Sequence, residues 1–292
     1  MNKTYKVAGH RFRVSGEKIC QAVSQIKGFL PFECKEEKED ILFEFVDAAS
    51  EPPQMEQVQY TFSYEDVSAV FGRWEEGFLL SLKPEKEEAF HLWTKDGESM
   101  VIMNGNWSMR LYRFALWVGF GLMTLPYQTV AIHSSCIVLQ EKAVLFLGES
   151  GTGKSTHTRL WREHIKGAVL LNDDSPMIRV EEDKVWAYGS PWSGKTPCYK
   201  QERYELAGCV RLSQAPYNRI KQLSVLQGYG AIHPSCPPEF AYDSVLYDHV
   251  SGFISKLLSK VPFYHLACLP DEEAARLSCS TILGSAYEES GQ

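Results

Sequence analysis

"VLFLGESGTGKSTHTRLW", Val144 to Trp161, passes from an unbroken apolar run through a glycine-rich turn into a helical pattern. The apolar run reads as a buried strand. Gly148-Glu-Ser-Gly-Thr-Gly153-Lys154-Ser155 satisfies GxxxxGK[ST], with a strand before it and a helix after it. Gly148, Gly151 and Gly153 let the backbone turn its N–H groups toward an anion. A helix starting near Lys154 adds its N-terminal dipole at the same point. Lys154 supplies a point charge for the β- and γ-phosphates of a nucleotide, and Ser155 a hydroxyl for Mg²⁺. Ser150, Thr152 and Thr156 complete the candidate nucleotide-binding set.

Downstream, the helix is expected to run from Thr156 to Lys166 with Gly167 as its C-cap, followed by a buried strand "AVLLN" that ends in Asp173 and Asp174. Asp173 lies nineteen residues beyond Lys154, room for three helical turns, a cap and a short strand. A crossover of that kind brings the carboxyl ends of both strands to one sheet edge. One carboxylate there can hold Mg²⁺ while the other accepts a proton from an attacking hydroxyl. Asp173 is the choice for the base and Asp174 for the metal, and the two can exchange roles. Upstream, "TVAIHSSCIVL" and "KAVLFLG" read as a hairpin or adjacent strands joined at Gln140 and Glu141, which places His133 inside the strand before the loop strand.

The rest of the chain sets limits. Its 292 residues, 44% hydrophobic and 23% charged, suit one large or two modest folded units. A net charge of −7 and the lack of a basic run argue against a nucleic-acid partner. Eight scattered cysteines without a CxxC pair read as reduced core thiols. The first residues lack a signal-type apolar region, and the apolar run Phe114 to Leu125, twelve residues, is too short to span a bilayer. A cytoplasmic protein with no membrane partner is expected. Residues 1–105 alternate strand-like runs ("HRFRV", "ILFEFV", "QVQYTFSY", "GFLLSL", "SMVIMNG") with turn signals such as "SGEK" and "KDGE", predicting a β-rich unit of antiparallel strands. The acidic stretch Glu33 to Asp40 reads as a solvated turn, and residues 106–125 as a helix ended by Pro126 that leads into a second domain, 106–292. "SPMIRVEEDKVWAYGSP" reads as a hairpin turning at Glu182 and Asp183. A helix at Asp243 to Leu258, a strand "VPFYHLAC" and a closing helix from Asp271 to about Leu283 complete the pattern. His157, His164, Arg159 and Arg162 on the helix after the loop read as packing or solvated residues. GxSxG, HExxH, NKxD and LSGGQ patterns are absent.

A double Asp one helix after the loop resembles HPr kinase/phosphorylase and the ATP-dependent phosphoenolpyruvate carboxykinases. "IHSS" is similar to the carboxykinase strand "MHCS", "ESGTGKS" to its "LSGTGKT", and "LLNDDS" to the "ADD" and "GDD" of the two families. The likeness covers residues 129–180, and more weakly reaches about 215. It implies an α/β fold, with a mixed-sheet P-loop core of the carboxykinase/HPr kinase type after the β-rich unit, and a homo-oligomer. It implies an ATP- and Mg²⁺-dependent kinase acting on a hydroxyl acceptor such as a serine of a protein or peptide, or a small molecule. His133 would polarise the transferred phosphate or approach the metal. "YGSPWSGK" resembles the "PWxGK" element of HPr-kinase-like proteins, so Lys195 would reach phosphate or acceptor and Trp192 the nucleotide pocket; the residues alone read equally as a tight turn. The glycine-rich signature that follows the double Asp in HPr kinases is not found here, nor are assignable arginines for oxaloacetate. A carboxykinase-like lyase and a non-catalytic ATP-binding module stay open as alternatives.

Overall fold

The computed structural model describes residues 1–34, 40–64, 66–105, 108–194 and 196–284, with Tyr64 described by its backbone alone. The expectations for residues 35–39, 106–107 and Lys195 lie outside these. The chain divides into two units, Met1–Pro126 with Glu239–Tyr247, and Tyr127–Pro238 with Asp248–Gln292. Both are mixed α/β.

The first unit contains β1 (Asn2–Val7), β2 (His10–Ser15), α1 (Glu17–Gln25), β3 (Glu33–Cys34), β4 (Phe43–Asp47), β5 (Gln57–Tyr64), β6 (Val67–Trp74), β7 (Gly77–Pro84), β8 (Phe90–Lys95), β9 (Met100–Gly105) and α2 (Met109–Thr124). Its sheet runs β3-β1-β2-β4-β9-β8-β7-β6-β5. The β-rich reading holds, with two corrections. The sheet is mixed, because β4 pairs parallel with both β2 and β9. The "SGEK" turn opens into α1, whose Ile19 N–H is capped by Asp47 of β4 at 2.7 Å. Alternating inward residues build an aromatic core: Phe12 stacks on Phe43 at 5.3 Å and meets Phe120 of α2 edge-on at 5.7 Å. α2 therefore belongs with the first unit and not, as its pattern suggested, with the second. Asp243 also belongs here, accepting hydrogen bonds from Gln59 and Arg73.

The second unit contains β10 (Thr129–Ala131), β11 (Ser134–Leu139), β12 (Lys142–Leu147), α3 (Lys154–His164), β13 (Val169–Asp174), β14 (Met177–Val180), β15 (Val185–Tyr188), β16 (Arg203–Gln214), β17 (Arg219–Gln222), α4 (Val225–Ile232), α5 (Ser244–Lys260), β18 (Phe263–Cys268) and α6 (Glu272–Leu283), the start of α5 lying in the first. Its sheet order is β10-β14-β15-β16-β12-β11-β13, with β18 beside β16. β12 is buried from Ala143 to Leu147, which explains its continuous apolar sequence. It pairs parallel with β16, and β16 parallel with β18. β11 and β12 form a hairpin whose turn residues, Gln140 and Glu141, both have positive φ, as a two-residue turn of the right twist requires. β11 is antiparallel to β12 on one side and to β13 on the other, so β12 and β13 end at the same sheet edge. The core beneath that edge joins Val144, Phe146, Val210 and Leu266 of the sheet to Leu160, Trp161, Ala275 and Cys279 of α3 and α6. α3 ends with Ile165 at its C-cap, so Gly167, at φ 86°, lies two residues past the cap. Among the described residues, no helix is long and apolar enough to cross a membrane.

Candidate active site

The glycine loop joins β12 to α3. Gly151 and Gly153 have φ of 84° and 103°, a region that L side chains rarely adopt, and Gly153 is the N-cap of α3. The loop thereby leads directly into the N-terminus of an eleven-residue helix, whose first N–H groups lack intrahelical partners. Lys154 folds back over the loop, donating to the carbonyl oxygens of Gly148 at 2.7 Å and Glu149 at 3.2 Å. Burial lowers its pKa, opposed by the charges of Asp174 and Asp173.

Three sequence-distant stretches meet at this edge. The Ser155 hydroxyl donates to Asp173 Oδ1 at 2.9 Å. Ser135 of β11, in register with Asp173, donates to the same oxygen. Asp173 is only 5% exposed, while Asp174 is half-buried and accepts from Ser175 Oγ only at 3.5 Å. The sequence reading missed Ser135; its place in "IHSS" gave no sign of the cross-strand contact. His133 lies in the bend between β10 and β11 instead of inside a strand, because its N–H donates to Ser235 O at 2.7 Å rather than to the sheet ladder. His133 is exposed, yet the protein around its ring desolvates it enough to lower its pKa; the Lys154 charge adds to that, and Asp174 and Asp173 oppose it. His133 therefore belongs to the same electrostatic cluster.

A polar scaffold fixes the Asp turn. Asn172, fully buried, donates to Trp192 O at 3.0 Å and Ser190 Oγ at 3.2 Å, and accepts from the Ser175 N–H at 2.9 Å. Gly194 N–H donates to Asp173 O at 2.7 Å. A Cβ on Gly194 would stand 2.7 Å from that oxygen, so the "SPWSG" segment can approach only with glycine there. Trp192 is buried and presents its main-chain carbonyl to Asn172, which ties it to the Asp turn.

On the α3 face a cleft of about 820 Å³ opens beside the loop, lined by Gly153, Thr156, Leu160, Leu212, Cys268 and Pro270. His157 takes no part in the Asp cluster: it pairs with Ser278 Oγ at 3.0 Å, and burial drives its pKa down to about 4. Arg159 pairs with Glu163 on the exposed helix face, and His164 lies 3.5 Å from Glu272. Among the described residues, no three His, Cys, Asp or Glu side chains cluster as a preformed metal cage. Hard oxygens from one hydroxyl and one carboxylate, Ser155 and Asp173, are the donor chemistry Mg²⁺ takes when phosphates and water supply the other ligands.

No family model matches the chain, and no curated protein matches it. Among solved structures it is similar to the HPr(Ser) kinase/phosphatase from Coxiella burnetii, at 13% identity over 55% of this chain and 93% of that one, with a TM-score of 0.30. At that TM-score the likeness carries no argument about fold, reaction or acceptor.

Proposed function

We propose that the second unit is an ATP- and Mg²⁺-dependent phosphotransferase that moves the γ-phosphoryl group to a hydroxyl acceptor. The observation that carries this reading is the Ser155–Asp173 hydrogen bond, which ties the glycine loop to the double Asp. A loop that only cradled phosphate would need no buried carboxylate at its serine. The resemblance of "IHSS", "ESGTGKS" and "LLNDDS" to the motifs of both kinase and carboxykinase agrees with it.

The loop N–H groups and Lys154 bind the phosphates, and the cleft beside Thr156 and Leu212 takes the base and ribose. Ser155 and Asp173 would hold Mg²⁺, which neutralises charge on the β- and γ-phosphates when bound. This favours the exchange of the two carboxylate roles. Asp173 Oδ1 already accepts two hydroxyl hydrogen bonds, whereas half-buried Asp174 is free to receive a proton. The acceptor oxygen attacks the γ-phosphorus, its proton passes to Asp174, and the bond to the β–γ bridging oxygen breaks with its electron pair leaving on ADP. His133, within electrostatic reach of Lys154 and Asp174, orients the transferred group. Positioning and charge neutralisation provide most of the rate.

The test is incubation of the chain with γ-labelled ATP, Mg²⁺ and cell extract. A labelled acceptor with the wild type and none with Asp174→Asn, at unchanged ATP affinity, supports the reading. ATP binding without turnover moves the chain to the non-catalytic module, and CO₂ release that depends on oxaloacetate moves it to the lyase.

A further inference from the structure

The Asp cluster approaches the glycine loop from the β11 and β13 side; the opposite flank is β16 and β18. Arg211 of β16 is in register with Leu147, the residue immediately before the loop. Val210 and Leu212, its chain neighbours, point into the core beneath α3, so strand alternation sends Arg211 and Ser213 to the other face. There a cleft of about 480 Å³ is bounded by Ser150, Gly151 and Thr152 of the loop and by Arg211, Ser213 and His265. His265, in register with Arg211 on β18, is held by Ser213 Oγ at 2.9 Å. Gln214 donates to Gly151 O at 3.3 Å, so the same strand braces the loop.

The partner of Arg211 is weak. Its Nη2 lies 3.4 Å from Glu149 Oε1, and the Glu149 side chain is 82% exposed against 23% for the arginine. An ion pair that long and that solvated contributes little, so the guanidinium can leave it at small cost for a better anion. The charge of Arg211 is also felt at Lys154, which places it within electrostatic reach of the phosphate-binding lysine.

We propose that Arg211 binds the terminal phosphoryl group of the nucleotide, exchanging Glu149 for phosphate oxygens and closing the loop from the side opposite the aspartates. The inference rests on the nucleotide reading of the loop. Lys154 is a point charge, whereas a guanidinium offers a planar fork that matches two phosphate oxygens at once. Charge spread over the equatorial oxygens during transfer is met by such an arginine in other phosphoryl-transfer sites.

The experiment is calorimetry with Mg²⁺ and either ADP or a β,γ-imido ATP analogue, on the wild type, Arg211→Ala and Arg211→Lys. Arg211→Ala is expected to weaken the analogue about 10- to 100-fold while ADP affinity stays within about twofold, because the lost contact is charge-assisted and made only to the third phosphate. Arg211→Lys recovers part of the loss, since it keeps charge without the fork. Unchanged ADP affinity also shows that the variants are folded. Equal weakening of both nucleotides, or no weakening, overturns the Arg211 assignment and leaves the nucleotide reading standing. A wild type that binds neither nucleotide overturns both.

Discussion

Two buried aspartates, one in each unit, solve the same electrostatic problem in opposite ways. Asp243 is 4% exposed and Asp173 is 5% exposed. Asp243 is neutralised by its own chain: Oδ2 accepts from Arg73 Nε at 2.6 Å and Gln59 at 2.7 Å, and Oδ1 from the N–H groups of Val245 and Leu246 at 3.0 and 3.1 Å. Among the described residues, Asp173 receives side-chain hydrogen bonds from two neutral hydroxyls, both on Oδ1, and no lysine or arginine bonds to it. A buried carboxylate saturated by an internal cation is a structural lock. One held in place by neutral donors, at the mouth of an anion-binding loop, is positioned to meet a cation from outside.

The sharpest way to break this contrast is to remove one charge at a time. Asp243→Asn leaves Arg73 with its exposed partner Asp96, 2.9 Å away, and is expected to cost about 1.5–3 kcal/mol of stability, the usual net worth of a charge-assisted hydrogen bond. Denaturant midpoints measure it. Asp173→Asn keeps both hydroxyl contacts possible, so its midpoint shifts by less than about 1 kcal/mol. Its ATP turnover, by contrast, falls on the order of 10³-fold as charge stabilisation at the phosphates is lost. If Asp173→Asn destabilises as much as Asp243→Asn, the distinction between lock and site collapses.

A smaller effect separates Asp243 from Glu239, four residues earlier in the same segment. Burial raises Glu239 to about 7, with only a backbone hydrogen bond opposing it, and among the described residues its Oε1 has no hydrogen-bond partner. Its folded pKa lies above the unfolded value, so its contribution is complete below about pH 4 and disappears as pH rises through 7, about 3 kcal/mol in all. Asp243 behaves in the reverse sense. Burial pushes its pKa up, but the hydrogen bonds from Arg73, Gln59 and Leu246 and the Arg73 charge outweigh that and bring it to about 2. Its contribution is complete above about pH 4 and is lost between 4 and 2, about 2 kcal/mol. Melting temperatures across pH 2–9 are expected to fall on both sides of pH 4–5. Glu239→Gln removes the alkaline decline and leaves the acid limb intact; a decline that survives the substitution assigns it to another group.

The parts of this molecule legible in the sequence were those encoded by neighbours in the chain. The apolar run "VLFL", the spaced glycines and the Asp pair each carry their own signal, and β12, α3 and β13 follow. What was hidden depends on distant partners. α1 has no side-chain cap from its own N-cap residue, Gly16; its N-terminal donor is met by Asp47, twenty-eight residues away. The affiliation of α2 is set by Phe12, Phe43 and Phe45 packing against it, which periodicity cannot report. The segment Glu239–Tyr247 joins the first unit through Asp243, far from Gln59 and Arg73 in sequence. In the site, the Asn172 network and Ser135 were invisible for the same reason: both act across strands whose register only the fold supplies.

Ser135 provides the smallest and most discriminating test of the aspartate contrast. Its hydroxyl and that of Ser155 share Asp173 Oδ1, yet they come from different elements. Ser155 opens α3 behind the loop lysine and would touch Mg²⁺ directly, whereas buried Ser135 reaches Asp173 from β11 and only orients it. Ser135→Ala is expected to cost about 1 kcal/mol of stability, the typical net worth of a neutral hydrogen bond. Its turnover falls roughly tenfold, which is about 1.4 kcal/mol of transition-state stabilisation, with the Mg²⁺ concentration for half-maximal rate unchanged. Ser155→Ala should raise that Mg²⁺ requirement instead. An equal rise in both variants would place Ser135 on the metal, and Asp173 would then be a two-serine ligand platform rather than a carboxylate aimed by one serine and completed by the other.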